Sequence, residues 1–170
     1  GKENGFFLDV GANDGVTLSN SYFFEKYKNW NGVCFEPLPE TFKKLKESRM
    51  CHCLECAVSD QEGIQEFLAV EGYAEMLSGL KQSYDERHLK RIQNEVTEFG
   101  GQEKTIQVQV RTLQSVLNEL NISHVDFCSI DTEGSELSVL KSIDFDKITI
   151  DYFAIENNYR TKDVYYYLLS

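Results

Sequence analysis

The chain alternates short, nearly continuous apolar runs with stretches of helical apolar spacing. Phe6-Phe7-Leu8-Asp9-Val10 is such a run, stopped by Gly11, and it predicts a strand buried on both faces. A helix is predicted over about 19–29 from the spacing of Tyr22, Phe23, Tyr27 and Trp30, then a second strand at Gly32-Val33-Cys34-Phe35-Glu36. The pattern continues with a helix over 39–48 that puts Phe42 and Leu45 on one face, then strands over 51–58 and 64–70. A charged helix over 80–98, a strand over 105–110 and a helix over 112–120 follow. Val125 to Ile130 is a strand, Ser135 to Leu140 a helix, Tyr152 to Glu156 a strand, and a last helix starts near 161. Strands that alternate with helices predict an α/β fold, a mostly parallel sheet with helices on both faces. The two prolines, Pro37 and Pro39, flank a turn, and no linker-like stretch divides the chain, so residues 1–170 read as a single domain. The segment 71–104, with its polar helix and Gly100-Gly101, fits that alternation least and reads as an insertion, a surface excursion or lid.

Composition narrows the class. Hydrophobic residues make up 41% and charged residues 26%, no apolar run approaches the ~18 residues that span a bilayer, and the N-terminus lacks a signal-peptide pattern. A folded cytoplasmic domain without a membrane partner is expected, and Gly1 in place of an initiator Met reads as a cloning scar or as the start of an excised fragment. With 28 acidic against 17 basic residues the net charge is −11, which repels phosphate backbones and argues against nucleic acid as a partner. The five cysteines, Cys34, Cys51, Cys53, Cys56 and Cys128, read as packed reduced thiols. Cys53 and Cys56 have C-x-x-C spacing, but no second ligand pair follows, and no metal is assigned there. Oligomeric state leaves no mark on the sequence.

Candidate chemistry collects where the strands end. In an open parallel sheet, ligands bind beyond the C-terminal ends of the strands. Those ends deliver Asp9-Val10-Gly11-Ala12-Asn13-Asp14-Gly15, Glu36, Ser59-Asp60, Asp131-Thr132-Glu133 and Glu156-Asn157-Asn158, and each contains an acid. A dinucleotide-phosphate site needs a G-x-G-x-x-G turn and tolerates carboxylates poorly, so a nicotinamide-dependent oxidoreductase is the weaker enzyme reading. Carboxylates around a glycine turn suit a cationic, hydroxyl-rich nucleoside without phosphate, a description S-adenosylmethionine meets. Glu36 is placed to accept both ribose hydroxyls. Gly11 and Gly15 let the chain pass close to the ligand, and Asp9 can orient the loop or reach the amino group. Several carboxylates together could also recruit a divalent cation, but none is assigned. His52, His88 and His124 lie outside these motifs and are given no catalytic role.

D-V-G-A-N-D-G at 9–15, F-E-P at 35–37, A-V-S-D at 57–60, V-R-T-L at 110–113 and V-D-F-C-S-I-D-T-E-G-S-E at 125–136 together resemble the FkbM-type S-adenosylmethionine-dependent O-methyltransferases over about residues 6–157. The resemblance implies the Rossmann-like class I methyltransferase fold, strand order 3-2-1-4-5, with further C-terminal strands expected after the helix near 161–168, either cut off at Ser170 or dispensed with in a minimal domain. It implies that Asp9, Gly11, Asn13 and Gly15 line the methionine end, Glu36 the ribose, and Val58 with Asp60 the adenine. Asp131 and Glu133 would face the transferring methyl, Glu133 as general base and Asp131 on cofactor or acceptor, with Glu136 and Glu156 in reserve. The acceptor expected is a hydroxyl of a sugar or sugar-bearing metabolite, a small molecule or glycan. The rival from another class is a non-catalytic nucleoside-binding module or degenerate methyltransferase.

Overall fold

The computed structural model describes residues 1–72, 75–84, 86–158 and 160–170. Five strands, β1 (Phe6–Val10), β2 (Asn31–Phe35), β3 (His52–Leu54), β8 (His124–Ile130) and β9 (Thr149–Ile155), form a parallel sheet in the order β3-β2-β1-β8-β9. Chain order reverses at β1, whose neighbours are β2 and β8, so the ends of these three strands flank the crevice where such sheets hold ligands.

Alternation along β1 divides its side chains between two cores. Leu8 and Val10 join Val33, Phe35, Cys128 and Ile130 on one face, covered by α4 (Leu113–Glu119) and α5 (Glu136–Lys141) through Leu113, Val116, Leu117, Val139 and Leu140. Phe7 packs on the other face with Trp30, Cys34 and Leu45, under α1 (Tyr22–Lys28) and α2 (Pro39–Ser48). In α1 the packing residue is Phe24, stacked on Trp30 at 4.6 Å; Phe23 and Tyr27 of the predicted stripe are exposed. Cys53 packs beside Cys34, whereas Cys56 lies in the first core, so the C-x-x-C pair is split between faces. α4 starts on Thr112, whose hydroxyl accepts from the Ser115 N–H at 3.1 Å. Thr112→Ala is expected to cost about 1 kcal/mol of stability, read from a denaturant melt.

The predicted strand over 51–58 breaks at Glu55-Cys56. Its second half, β4 (Ala57–Val58), leaves the parallel sheet for a second, four-stranded one, where it pairs parallel with residues 110–111. There β5 (Gly63–Gly72) and β7 (Gly101–Arg111) pair antiparallel from Gly63↔Val110 to Gly72↔Gly101, and β6 (Gly79–Leu80) adds to β5. The predicted helix over 80–98 is α3 (Glu86–Phe99), preceded by two single 3-10 turns; residues 73, 74 and 85 of the 71–104 excursion lie outside the described residues. Leu77 and Ile92 of this excursion pack on Leu68 and Val70 of β5 in a core separate from those of the parallel sheet. The last helix, α6, spans Asp163–Leu169. No helix among the described residues is long and apolar enough to cross a membrane.

Candidate functional site

The glycine turn after β1 is shaped by a backbone crossing. Gly11 has φ +82°, and a Cβ there would sit 1.8 Å from the Asp131 carbonyl oxygen, so only glycine lets the turns after β1 and β8 pass each other. The Gly11 and Ala12 N–H groups donate to Phe35 O at 3.1 and 3.0 Å, and Asp131 N–H donates to Val10 O at 2.9 Å, which ties three strand ends into one rim. Gly15 faces away from the crevice: a Cβ there would meet Leu45, Arg49 and Ser48.

Asp9 is committed to that rim. Its carboxylate accepts from Ser21 Oγ in a short hydrogen bond and from Ser19 Oγ at 3.2 Å, with Arg49 Nη1 at 3.8 Å. Arg49 is itself buried, and it donates to Gly15 O at 3.0 Å and Ser21 Oγ at 2.9 Å and pairs with Glu25 at 2.5 Å. Burial pushes the Asp9 pKa up, while Ser21 and Arg49 pull against it. Of the two roles foreseen for Asp9, orienting the loop is the one these contacts serve.

Glu36, 6% exposed at the end of β2, accepts from the Asn13 N–H at 3.1 Å and the Leu38 N–H at 2.9 Å, one on each oxygen. Each oxygen keeps capacity for a further donor. Burial raises its pKa to about 7 against the pull of those two N–H groups, with Glu75 adding repulsion.

Beyond β8 and β9, carboxylate oxygens of Asp131, Glu133 and Glu156 lie within 4.8 Å of one another, close enough to share one cation. Burial, then Glu156, pushes Asp131 up to about 7; burial, then Asp131, does the same to Glu133. Asn158 Nδ2 bridges Glu133 at 3.0 Å and Glu156 at 2.7 Å. Glu133 also has a left-handed backbone, φ 52°, followed by Gly134 at φ 118°. Glu136 turns back to accept from Gly134 N–H at 2.9 Å and from Thr132, so it holds the turn.

These groups surround one cavity of about 210 Å³. It collects Asp9, Gly11, Asn13, Glu36, Val58, Asp131 and Glu133 from the predicted set, together with Glu156. Gly15 and Asp60 do not reach it; Asp60 is exposed and accepts from Ser59 Oγ at 3.2 Å. β5 supplies Phe67 and the excursion Glu75, Met76 and Leu80, and Thr41 Oγ1 donates to Glu75 at 2.8 Å, anchoring the excursion on α2. Its helix also brings buried His88 against Glu133, Nδ1 at 3.9 Å, with Nε2 3.1 Å from Leu77 O and the ring stacked on Tyr84. Sequence reasoning missed these residues because none sits in a motif; the reading of 71–104 as a lid pointed toward Glu75, Met76, Leu80 and His88 and left Thr41 and Phe67 without any signal. The described lining carries six carboxyl groups, Asp9, Glu36, Glu75, Asp131, Glu133 and Glu156, and no Lys or Arg.

The family model described as the methyltransferase FkbM domain matches residues 9–168. The chain is 29% identical over 161 residues to "Methyltransferase sdnD" of Sordaria araneosa, covering 83% of this chain and 61% of that protein. It is 27% identical over 158 residues to "Methyltransferase 1" of Beauveria bassiana, covering 84% and 59%. The chain thus spans about three-fifths of the length of these curated relatives. The crystal structure of methyltransferase FkbM from Methylobacillus flagellatus shares the fold with a TM-score of 0.59 at 16% identity, over 99% of this chain and 38% of that one.

Proposed function

Because the chain belongs to the FkbM methyltransferase family, we propose that it moves a methyl group from S-adenosylmethionine to a hydroxyl of a sugar or sugar-bearing metabolite. The observation that carries the donor is the cavity lining, with its six carboxyl groups and no Lys or Arg among the described residues. Such a lining attracts a sulfonium and an ammonium and repels the pyrophosphate of a nicotinamide dinucleotide. Glu36 has an acceptor position left on each oxygen for the two ribose hydroxyls. Val58 with Phe67 and Leu80 offers the apolar wall an adenine ring needs. Asn13 and Asp131 take the methionine end.

Bound S-adenosylmethionine supplies an electrophilic methyl carbon on a positively charged sulfur. The protein's share is to align the acceptor oxygen with that carbon, to keep water out, and to accept the hydroxyl proton. Glu133 is the base: with a pKa of about 7 it is partly ionised at neutral pH and basic enough to take a proton as the oxygen attacks. Asp131, beside it, balances the positive charge of the donor.

Calorimetric titration at pH 7 in two buffers of different ionisation enthalpy tests the donor. S-adenosylmethionine is expected to bind with net proton release, because a cation and two hydroxyl donors favour the ionised forms of Asp131 and Glu36, whose pKa values are raised to about 7 in its absence. S-adenosylhomocysteine, which lacks the sulfonium charge, should release less. Failure of both to bind, or tighter binding of a nicotinamide dinucleotide, would sink the proposal.

A further inference from the structure

A second cavity of about 240 Å³ adjoins the first, and Glu133 and Glu156 line both recesses. Its other described walls are the first turn of α3, the start of α5, Asn157, Asn158 and Thr161, and the start of α6. We infer that this cavity holds the methyl acceptor, and that it selects a neutral or amine-bearing polyhydroxylated molecule against phosphorylated or carboxylated ones; the inference rests on the methyl-donor reading of the first cavity.

Position carries the first half. The two recesses meet at the carboxyl proposed as base, so a hydroxyl held in the second can reach Glu133 next to a methyl carbon held in the first. A methyl displacement needs that proximity of acceptor oxygen, methyl carbon and base. Asn158, bonded to Glu133 and Glu156, marks the boundary.

Lining carries the second half. Glu133, Glu136, Glu156 and Asp163 outnumber Arg87 and His88, so the field disfavours an anion and favours an ammonium. Ser83, Asn157 and Thr161 add hydroxyl and amide groups that donate and accept, as neighbouring hydroxyls require. The described lining has no aromatic ring besides His88, and its apolar side chains are Leu137 and Val164, which gives little for a flat hydrophobic acceptor.

The test is amide chemical-shift mapping of the protein saturated with S-adenosylhomocysteine, titrated in turn with methyl glucoside, glucosamine and glucuronate. Glucoside and glucosamine should shift amides of Thr161–Val164 and of the start of α3, with glucuronate at least tenfold weaker. Thr161→Trp, at an exposed position on the wall, should weaken both sugars at least tenfold and leave S-adenosylhomocysteine affinity unchanged. Glucuronate binding as well as glucosamine, shifts confined to other surfaces, or no shifts at all would overturn the inference. The same titrations run without S-adenosylhomocysteine keep its fate separate, since loss of nucleoside binding alone would count against the donor reading and not against this cavity.

Discussion

Glu133→Gln is expected to lower turnover by about 10²–10⁴-fold while S-adenosylmethionine affinity stays within about threefold. The amide has the shape of the protonated carboxyl, and Asn158 can meet its oxygen as it meets the acid at 3.0 Å, so the fold tolerates the change. What disappears is the ability to take a proton. The parent enzyme should lose rate as pH falls through about 7, and the variant's residual rate should lack that limb. Asp131, Glu136, Glu156, His88 and Arg91 all face this carboxyl, so the apparent midpoint belongs to the group as a whole. Stability moves the opposite way. The raised pKa means that the folded state holds this proton more tightly than the unfolded chain, a contribution present below the ordinary value of 4.5 and lost as pH rises through about 7. Thermal melts at pH 8 should therefore find the variant at least as stable as the parent. Full turnover in Glu133→Gln would remove it from the role of base.

Glu36→Ala should weaken S-adenosylmethionine binding by about 1.5–3 kcal/mol, roughly ten- to more than a hundredfold, through loss of a charge-assisted pair of hydrogen bonds. The substitution also strips the Asn13 and Leu38 N–H groups of their acceptor, loosening the glycine turn and the start of α2. Part of the loss would therefore appear as lower stability without ligand. Calorimetry and a melt on the same sample separate the two, and unchanged affinity would take Glu36 out of the site.

The central sheet was legible because a doubly covered strand such as Phe6 to Val10 leaves an unbroken apolar run, and because acids follow nearly every strand end. The excursion was less so. β4 and β6 are two residues each, too short for any period to register, and β7 begins with a polar stretch, Gly101 to Thr105, that is exposed and pairs with β5. Side-chain duties that depend on distant partners were also hidden. Asp9 could have met a ligand or the loop, and the choice came from Arg49, 40 positions along the chain, which closes on it from the end of α2. Asp60 sits at the right place in a motif, yet β4 leaves the parallel sheet just before it and the carboxylate stays in solvent.

Glu133 is a poor choice for the fold alone. Its backbone sits where asparagine or glycine would rest more easily, its carboxyl is buried, and its nearest acidic neighbour repels it. A laboratory selection run on heat tolerance, with no demand for chemistry, would discard this acid among the first. Survivors that keep it would be reporting that a reaction, and not endurance, was being chosen.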